Sequence, residues 1–245
     1  MGIISKDYHD VFFSYSTRDN GFHDNWIKDF RDDLRARVLV EMNAIDFKVL
    51  VGLDEIDFFI DYHGLPANGD LADEIVAAIK KSNFPFMFVG DGYLRSEYCT
   101  KELDWFRGRF SSTGGQALNH MFIFLLTPSA VRGASAGPLS EIISKAKYES
   151  VFDNESGLPI KRMVPTQEGD RAVVNPNYKN LVNKIATSVV PRILEKVRPG
   201  SPPVDHPPVP AIPPAEIDAC FKDVKAGDAR KERGLSGLRK VCAPI

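Results

Sequence analysis

Two stretches of this chain carry residue types at spacings that could do chemistry. Gly133-Ala134-Ser135-Ala136-Gly137 fits the G-x-S-x-G turn of a serine hydrolase. That turn needs a strand ending at the serine, with an acid and a histidine later in the chain. Here the preceding apolar run ends near Leu126, and the histidine after Ser135 is His206, inside a proline-rich stretch. The segment therefore reads as a flexible Gly/Ala/Ser loop. Gly90-Asp91-Gly92 follows an apolar run, as a dinucleotide fingerprint would, but Arg95 stands where the third glycine should allow close packing. It reads as a turn. The five histidines and the three cysteines, Cys99, Cys220 and Cys242, form no cluster at ligand spacing, so neither a metal site nor a disulfide framework is expected.

The elements that would position a site alternate along the first 198 residues. Asp10 to Tyr15 is a short, aromatic-rich strand that runs into a polar loop, Ser16 to Asn20. Trp26, Phe30 and Leu34 recur at helical spacing with charges between them. Residues 40–56 fit no single pattern. A second strand spans Ile56 to Asp61 and breaks at a loop that closes at Gly69. Leu71, Ile75, Ala78 and Ile79 mark an amphipathic helix capped by Asp70. Phe84 to Val89 and Met121 to Leu126 are apolar without alternation, the pattern of strands covered on both faces of a parallel sheet. Ser96 caps a helix through Phe106, Leu139 to Tyr148 is expected to be helical, and Ile160 to Val164 is the expected fifth strand. Tyr178, Leu181, Ile185, Val189, Ile193 and Val197 stripe a last helix that stops before Pro199. Five strands alternating with helices predict a doubly wound α/β domain with a five-stranded parallel sheet and its ligand crevice at the strands' carboxyl ends.

Composition narrows the class further. The 245 residues are 43% hydrophobic and carry a formal net charge of −2, which argues against a chain that binds nucleic acid along its whole surface. No apolar run approaches the roughly 20 residues of a membrane span, and the N-terminus carries neither a secretory pattern nor the myristoylation pattern, since position 6 is Lys. A cytoplasmic, reducing setting is expected. Eight of the 17 prolines fall between Pro199 and Pro214, so residues 199–214 read as a semi-rigid linker. Residues 215–245 form a short tail with seven Lys/Arg between Lys222 and Lys240, helical or disordered, and too short to bury a core alone.

Four segments in fixed order carry a more specific signal. They are Tyr8 to Ser16 with Thr17-Arg18-Asp19; Phe58-Phe59-Ile60-Asp61 with the loop Gly64-Leu65-Pro66-Ala67-Asn68-Gly69; Ile75 to Ser82; and Tyr93 to Leu103. In order and spacing they resemble the boxes of the Toll/interleukin-1 receptor (TIR) domain, and the chain resembles the NAD-cleaving TIR effectors of bacterial defence. The resemblance implies a flavodoxin-like TIR domain over residues 1–198. It implies an enzyme with NAD+ as substrate and no cofactor or metal, which releases nicotinamide and ADP-ribose or a cyclic product in antiphage defence or innate-immune-type signalling. The alternative is a non-catalytic adaptor that works by TIR–TIR assembly.

The same resemblance assigns residues. One glutamate in the helix after the third strand is essential in catalytic members, within a pattern like S-x-W-C-x-x-E-L. Here Ser96 to Leu103 carries it, with Cys99 and Glu102 in place and Tyr98 where the pattern usually has Trp. Nicotinamide leaves as a neutral ring, so no general acid is needed, in contrast to glycoside hydrolysis. A single carboxylate can offset the developing oxocarbenium charge. Tyr98 and Glu102 are four apart and share a helix face, which aims an aromatic platform and a carboxylate into one exposed cleft. Tyr15 and Ser16 would border the ligand; Ser16 does not supply the cation many members carry after this strand, and Arg18 is the candidate for it. Asp61 ends the second strand, where it would either border the ligand or stabilise the turn. The loop with Gly64, Leu65, Pro66 and Gly69 would make subunit contacts, Cys99 would pack the helix, and sensing would fall to a separate protein or to a part beyond this chain. Direct nucleic-acid binding through the tail is the weakest expectation.

Overall fold

Apolar runs without alternation need cover on both faces, and two strands built on such runs set the architecture. The structure is a computed structural model that describes residues 9–45, 57–60, 77–79, 81–111, 121–136, 139–140, 147–166 and 171–197. In chain order its elements are β1 His9–Tyr15, α1 Thr17–Phe22, α2 Trp26–Ile45, β2 Phe58–Ile60, β3 Ser82–Val89, α3 Asp91–Leu94 and α4 Glu97–Ser111. They continue with β4 Phe122–Leu125, α5 Pro128–Ala136, β5 Lys147–Ser150, β6 Met163–Pro165, β7 Ala172–Val174 and α6 Pro176–Val197. Every residue of β3 and β4 is buried. The main sheet has the order β2-β1-β3-β4-β5 with every neighbouring pair parallel. This is the flavodoxin-like order, in which the winding direction switches between β1 and β3 and opens a crevice at their carboxyl ends.

Strand alternation sends two sets of side chains to two layers. Val11, Phe13 and Tyr15 of β1, Phe84, Phe86 and Phe88 of β3, and Phe122 and Phe124 of β4 form one core with α2 and α6. The α2 stripe in it runs Trp26, Phe30, Leu34, Val38, Met42 at four-residue intervals. Aromatic rings fill this layer: Phe88 stacks on Phe13 at 5.2 Å and on Phe124 at 4.8 Å between centroids. On the opposite face Phe12, Met87, Val89, Ile123 and Leu125 pack against Cys99, Leu103 and Phe106 of α4 and Ala130 and Ala134 of α5. Cys99 is buried and packs the helix, as expected from the sequence.

Three expectations from the sequence are corrected. The segment 160–164 is not a strand of the main sheet: Met163–Pro165 pairs antiparallel with Ala172–Val174 in a separate ribbon. The fifth place is taken by Lys147–Ser150, so the helix expected over 139–148 cannot reach Tyr148. Position 160 instead follows a return turn, where the Ile160 N–H donates to the Val151 carbonyl at 2.9 Å and the Trp26 indole N–H donates to the Ile160 carbonyl at 2.8 Å. The stretch after β1 is the short helix α1 rather than a polar loop. The loop of residues 62–69, Leu71, Ile75, the linker 199–214 and the tail 215–245 lie outside the described residues.

Candidate functional site

Alternation along β1 decides which site residues can meet. Ser14 turns toward α4, and its hydroxyl donates to Glu102 Oε2 at 2.5 Å. Tyr93, from α3, brings its hydroxyl 3.2 Å from Ser14 Oγ and 3.2 Å from the Cys99 carbonyl. The Ser14 proton goes to Glu102, so Tyr93 divides its single proton between the Ser14 oxygen and that carbonyl. Burial, with the Cys99 thiol and the Glu102 carboxylate adding to it, pushes the Tyr93 hydroxyl well above its usual range, so it stays a neutral donor.

Glu102 is 1% exposed, which corrects the expectation of an exposed cleft carboxylate. The helix places Tyr98 and Glu102 on one face as the spacing requires, but that face turns onto the sheet rather than to solvent. Tyr98 is half-buried and meets the Trp105 ring edge-on, with centroids 6.5 Å apart. Ser96 starts α4 as a cap, its Oγ accepting the Cys99 N–H at 3.2 Å. Tyr15 is also corrected: it is buried among the aromatics of the α2–α6 face, on the side of the sheet away from Glu102. Asp61, Gly64, Leu65, Pro66 and Gly69 lie outside the described residues.

A second feature occupies the switch-point crevice. Asp19 of α1 is 5% exposed, and its two carboxylate oxygens accept the Gly92 and Tyr93 backbone N–H groups, each at 2.8 Å. The turn that imitates a dinucleotide fingerprint thus holds an internal carboxylate where a phosphate would sit. The glycines have a spatial reason. A Cβ on Gly90 would fall 2.6 Å from the Asp19 carboxylate, and one on Gly92 would fall 2.7 Å from Asp19 Oδ1 and Ser16 Oγ. Burial raises the Asp19 pKa above 3.8 even though the two N–H groups oppose it.

Beside this turn lies a cleft of about 460 Å³. Arg18 enters it from α1, Arg95 from the end of α3 and Arg132 from α5, all three exposed. His23 also lines it, and burial holds its imidazole below the usual range despite nearby acids. Asp91 accepts the Ser129 hydroxyl at 2.9 Å, and Thr127 caps α5 by accepting the Ala130 N–H at 3.1 Å. The structure therefore parts the sequence-assigned set. Glu102 lies under Ser14 and Tyr98 lies on its helix; Arg18 lines the cleft; Ser16 borders the Gly92 turn; Tyr15 is turned away. Gly133-Ala134-Ser135-Ala136 continues α5, and a Cβ on Gly133 would meet Leu94 Cδ1 at 2.5 Å, so no nucleophile turn exists there. Among the described residues no His/Cys/Asp/Glu group could hold a metal, and no helix is long and apolar enough to cross a membrane.

Sequence reasoning had no role for Ser14, Asp19, Arg95 or Arg132. A signal existed for the first two. A polar residue inside a strand of otherwise buried positions must find a partner, and a buried acid just after a strand has few donors within reach other than the neighbouring turn.

No family model matches the chain, and no curated protein matches it. Among solved structures, the chain is similar to the TIR domains of the activated Roq1 resistosome that directly recognizes the pathogen effector XopQ. The likeness is 16% identity over 78% of this chain and 99% of that one, with a TM-score of 0.33. At that score the fold rests on the sheet order and layers described above.

Proposed function

We propose that the protein is a TIR-type enzyme that cleaves the nicotinamide–ribose bond of NAD+. Water adds at the ribose carbon as nicotinamide leaves with the bonding electron pair, giving ADP-ribose and a proton; a cyclic product forms if an adenine nitrogen adds instead. The reading rests on the Glu102 carboxylate of the helix that follows β3, which accepts the Ser14 hydroxyl, with the Tyr93 hydroxyl in turn beside Ser14, within the sequence boxes that resemble catalytic TIR domains. Its charge would offset the positive charge that develops on the ribose, and Tyr98 would supply a ring for stacking. Catalysis by a carboxylate that is 1% exposed entails that activation uncovers it. That fits activity which rises when copies assemble, through the loop with Leu65 and Pro66 and with a separate sensor as partner.

One observation favours a second reading. The same burial lets Glu102 fasten α4 to β1 as a structural group, and the protein would then act as an adaptor. Chromatography of NAD+ incubated with concentrated wild type and with Glu102→Gln separates the two. The enzyme reading expects turnover in wild type and a loss of about 10²–10³ in Glu102→Gln, a substitution that keeps shape and removes charge. Absence of NAD+ loss in concentrated or artificially clustered wild type would sink it in favour of the adaptor.

A further inference from the structure

The cleft beside the Gly90–Gly92 turn presents an imbalance of engaged and unengaged charge. Its two carboxylates are taken: Asp19 by the Gly92 and Tyr93 N–H groups, Asp91 by Ser129. Its three guanidiniums are not. Arg18, Arg95 and Arg132 have neither ion-pair nor hydrogen-bond partners for their side chains among the described residues. They come from three separate elements, α1, α3 and α5, each following a different strand of the sheet. Three like charges facing one cleft repel one another, and folding alone gives no reason to gather them there. A guanidinium presents a planar fork that matches phosphate oxygens two at a time. The cleft's volume of about 460 Å³ lies within the range of small-molecule sites, roughly 300–1,000 Å³.

We infer that this cleft binds a small ligand carrying two linked phosphates, of the nucleoside diphosphate class, with Arg95 and Arg132 gripping the diphosphate and Arg18 at its edge. The internal Asp19 carboxylate fills the backbone turn, so the ligand is held by side chains rather than by a glycine nest. Glu102 is not among the residues that line this cleft, so the inference does not rest on the proposed NAD+ chemistry.

The test is calorimetric titration of the full chain with ADP, inorganic pyrophosphate and adenosine at fixed ionic strength. The proteins are wild type, Arg95→Ala, Arg132→Ala, the double variant and Glu102→Gln. The expected result is binding of ADP and pyrophosphate but not adenosine. Each arginine variant should bind about tenfold more weakly, and Glu102→Gln should bind as wild type does. Both arginines are exposed, and a melt of each variant checks that it folds. Three results would overturn the inference: no heat with millimolar ADP, adenosine binding as well as ADP, or ADP binding that the double variant retains. The last would place any ADP elsewhere, including at a site near Glu102. Because no turnover is read, the outcome is independent of whether NAD+ is cleaved.

Discussion

The Asp19 carboxylate joins β1's end to β3's end, and a double-mutant cycle can measure how much that joint contributes. In Asp19→Asn one side-chain oxygen remains to accept one backbone N–H, while the new NH2 faces the other donor. One hydrogen bond to a charged acceptor is lost, worth about 1.5–3 kcal/mol. For a chain of this size that is a fall of about 3–12 °C in Tm. Gly90 supplies the second arm. Its φ of −117° suits any residue, so its need for glycine is purely one of space. The atoms closest to an added Cβ all belong to the Asp19 carboxylate, at 2.6–2.8 Å. Gly90→Ala alone should therefore cost about 1–3 kcal/mol, as overpacking does. In an Asp19→Ala background the obstructing atoms are gone, and the same substitution should be nearly neutral. Urea unfolding of wild type, Asp19→Ala, Gly90→Ala and the double variant yields the coupling directly. Costs that add to within about 0.5 kcal/mol would refute the placement of Asp19 in this turn.

Further outcomes follow from the same observations. Burial raises the Asp19 pKa, so the folded chain holds that proton more tightly than the unfolded one; the associated stability is full below 3.8 and is lost as pH rises through the folded value. Wild type should thus lose stability relative to Asp19→Asn as pH rises from about 4 through the folded value, and a gap that widens in favour of wild type over that rise would contradict it. Because α6 ends at Val197 with its stripe already packed in the α2 layer, a chain ending at Arg198 should melt in one transition near the full chain's Tm. A fall of many degrees, or lost helical signal, would make residues 199–245 part of the fold. If NAD+ turnover is found, its specific rate should rise with protein concentration, and charged replacements of Leu65 and Pro66 should blunt that rise; a rate flat in concentration from a monomer would count against assembly.

Much of the fold was legible because its central elements carry strong local signals. The runs Phe84–Val89 and Met121–Leu126 announce buried parallel strands, and the Trp26 and Tyr178 stripes announce the two helices that cover one face. The edge was not legible. Lys147-Tyr148-Glu149-Ser150 is short and polar, as exposed edge strands are, and so lacks the apolar run that betrays a strand. Ile160 to Val164 has more strand character by composition, yet it follows a turn that carries it out of the parallel sheet. Helix α1 has six residues, too few to show a period. For the site, spacing alone placed Tyr98 and Glu102 on one face. It could not say that the face looks inward, because that depends on Ser14, a partner 88 residues away.

Burial of Glu102 changes how its role has to be read from mutants. A solvated glutamate changes stability little when replaced, typically by under about 0.5 kcal/mol. A carboxylate sealed under β1 with a serine hydroxyl donating to it does not share that freedom. Glu102→Ala leaves the Ser14 hydroxyl without its acceptor and opens space between α4 and the sheet, so lost activity would follow from disordered packing as readily as from missing charge. Glu102→Gln keeps a carbonyl oxygen for Ser14 and nearly the same volume. Ser14→Ala removes the donor while leaving the carboxylate. Catalysis by charge requires the first of these to be inactive and folded, and the second to keep part of its activity. A purely structural glutamate requires both to act through stability alone.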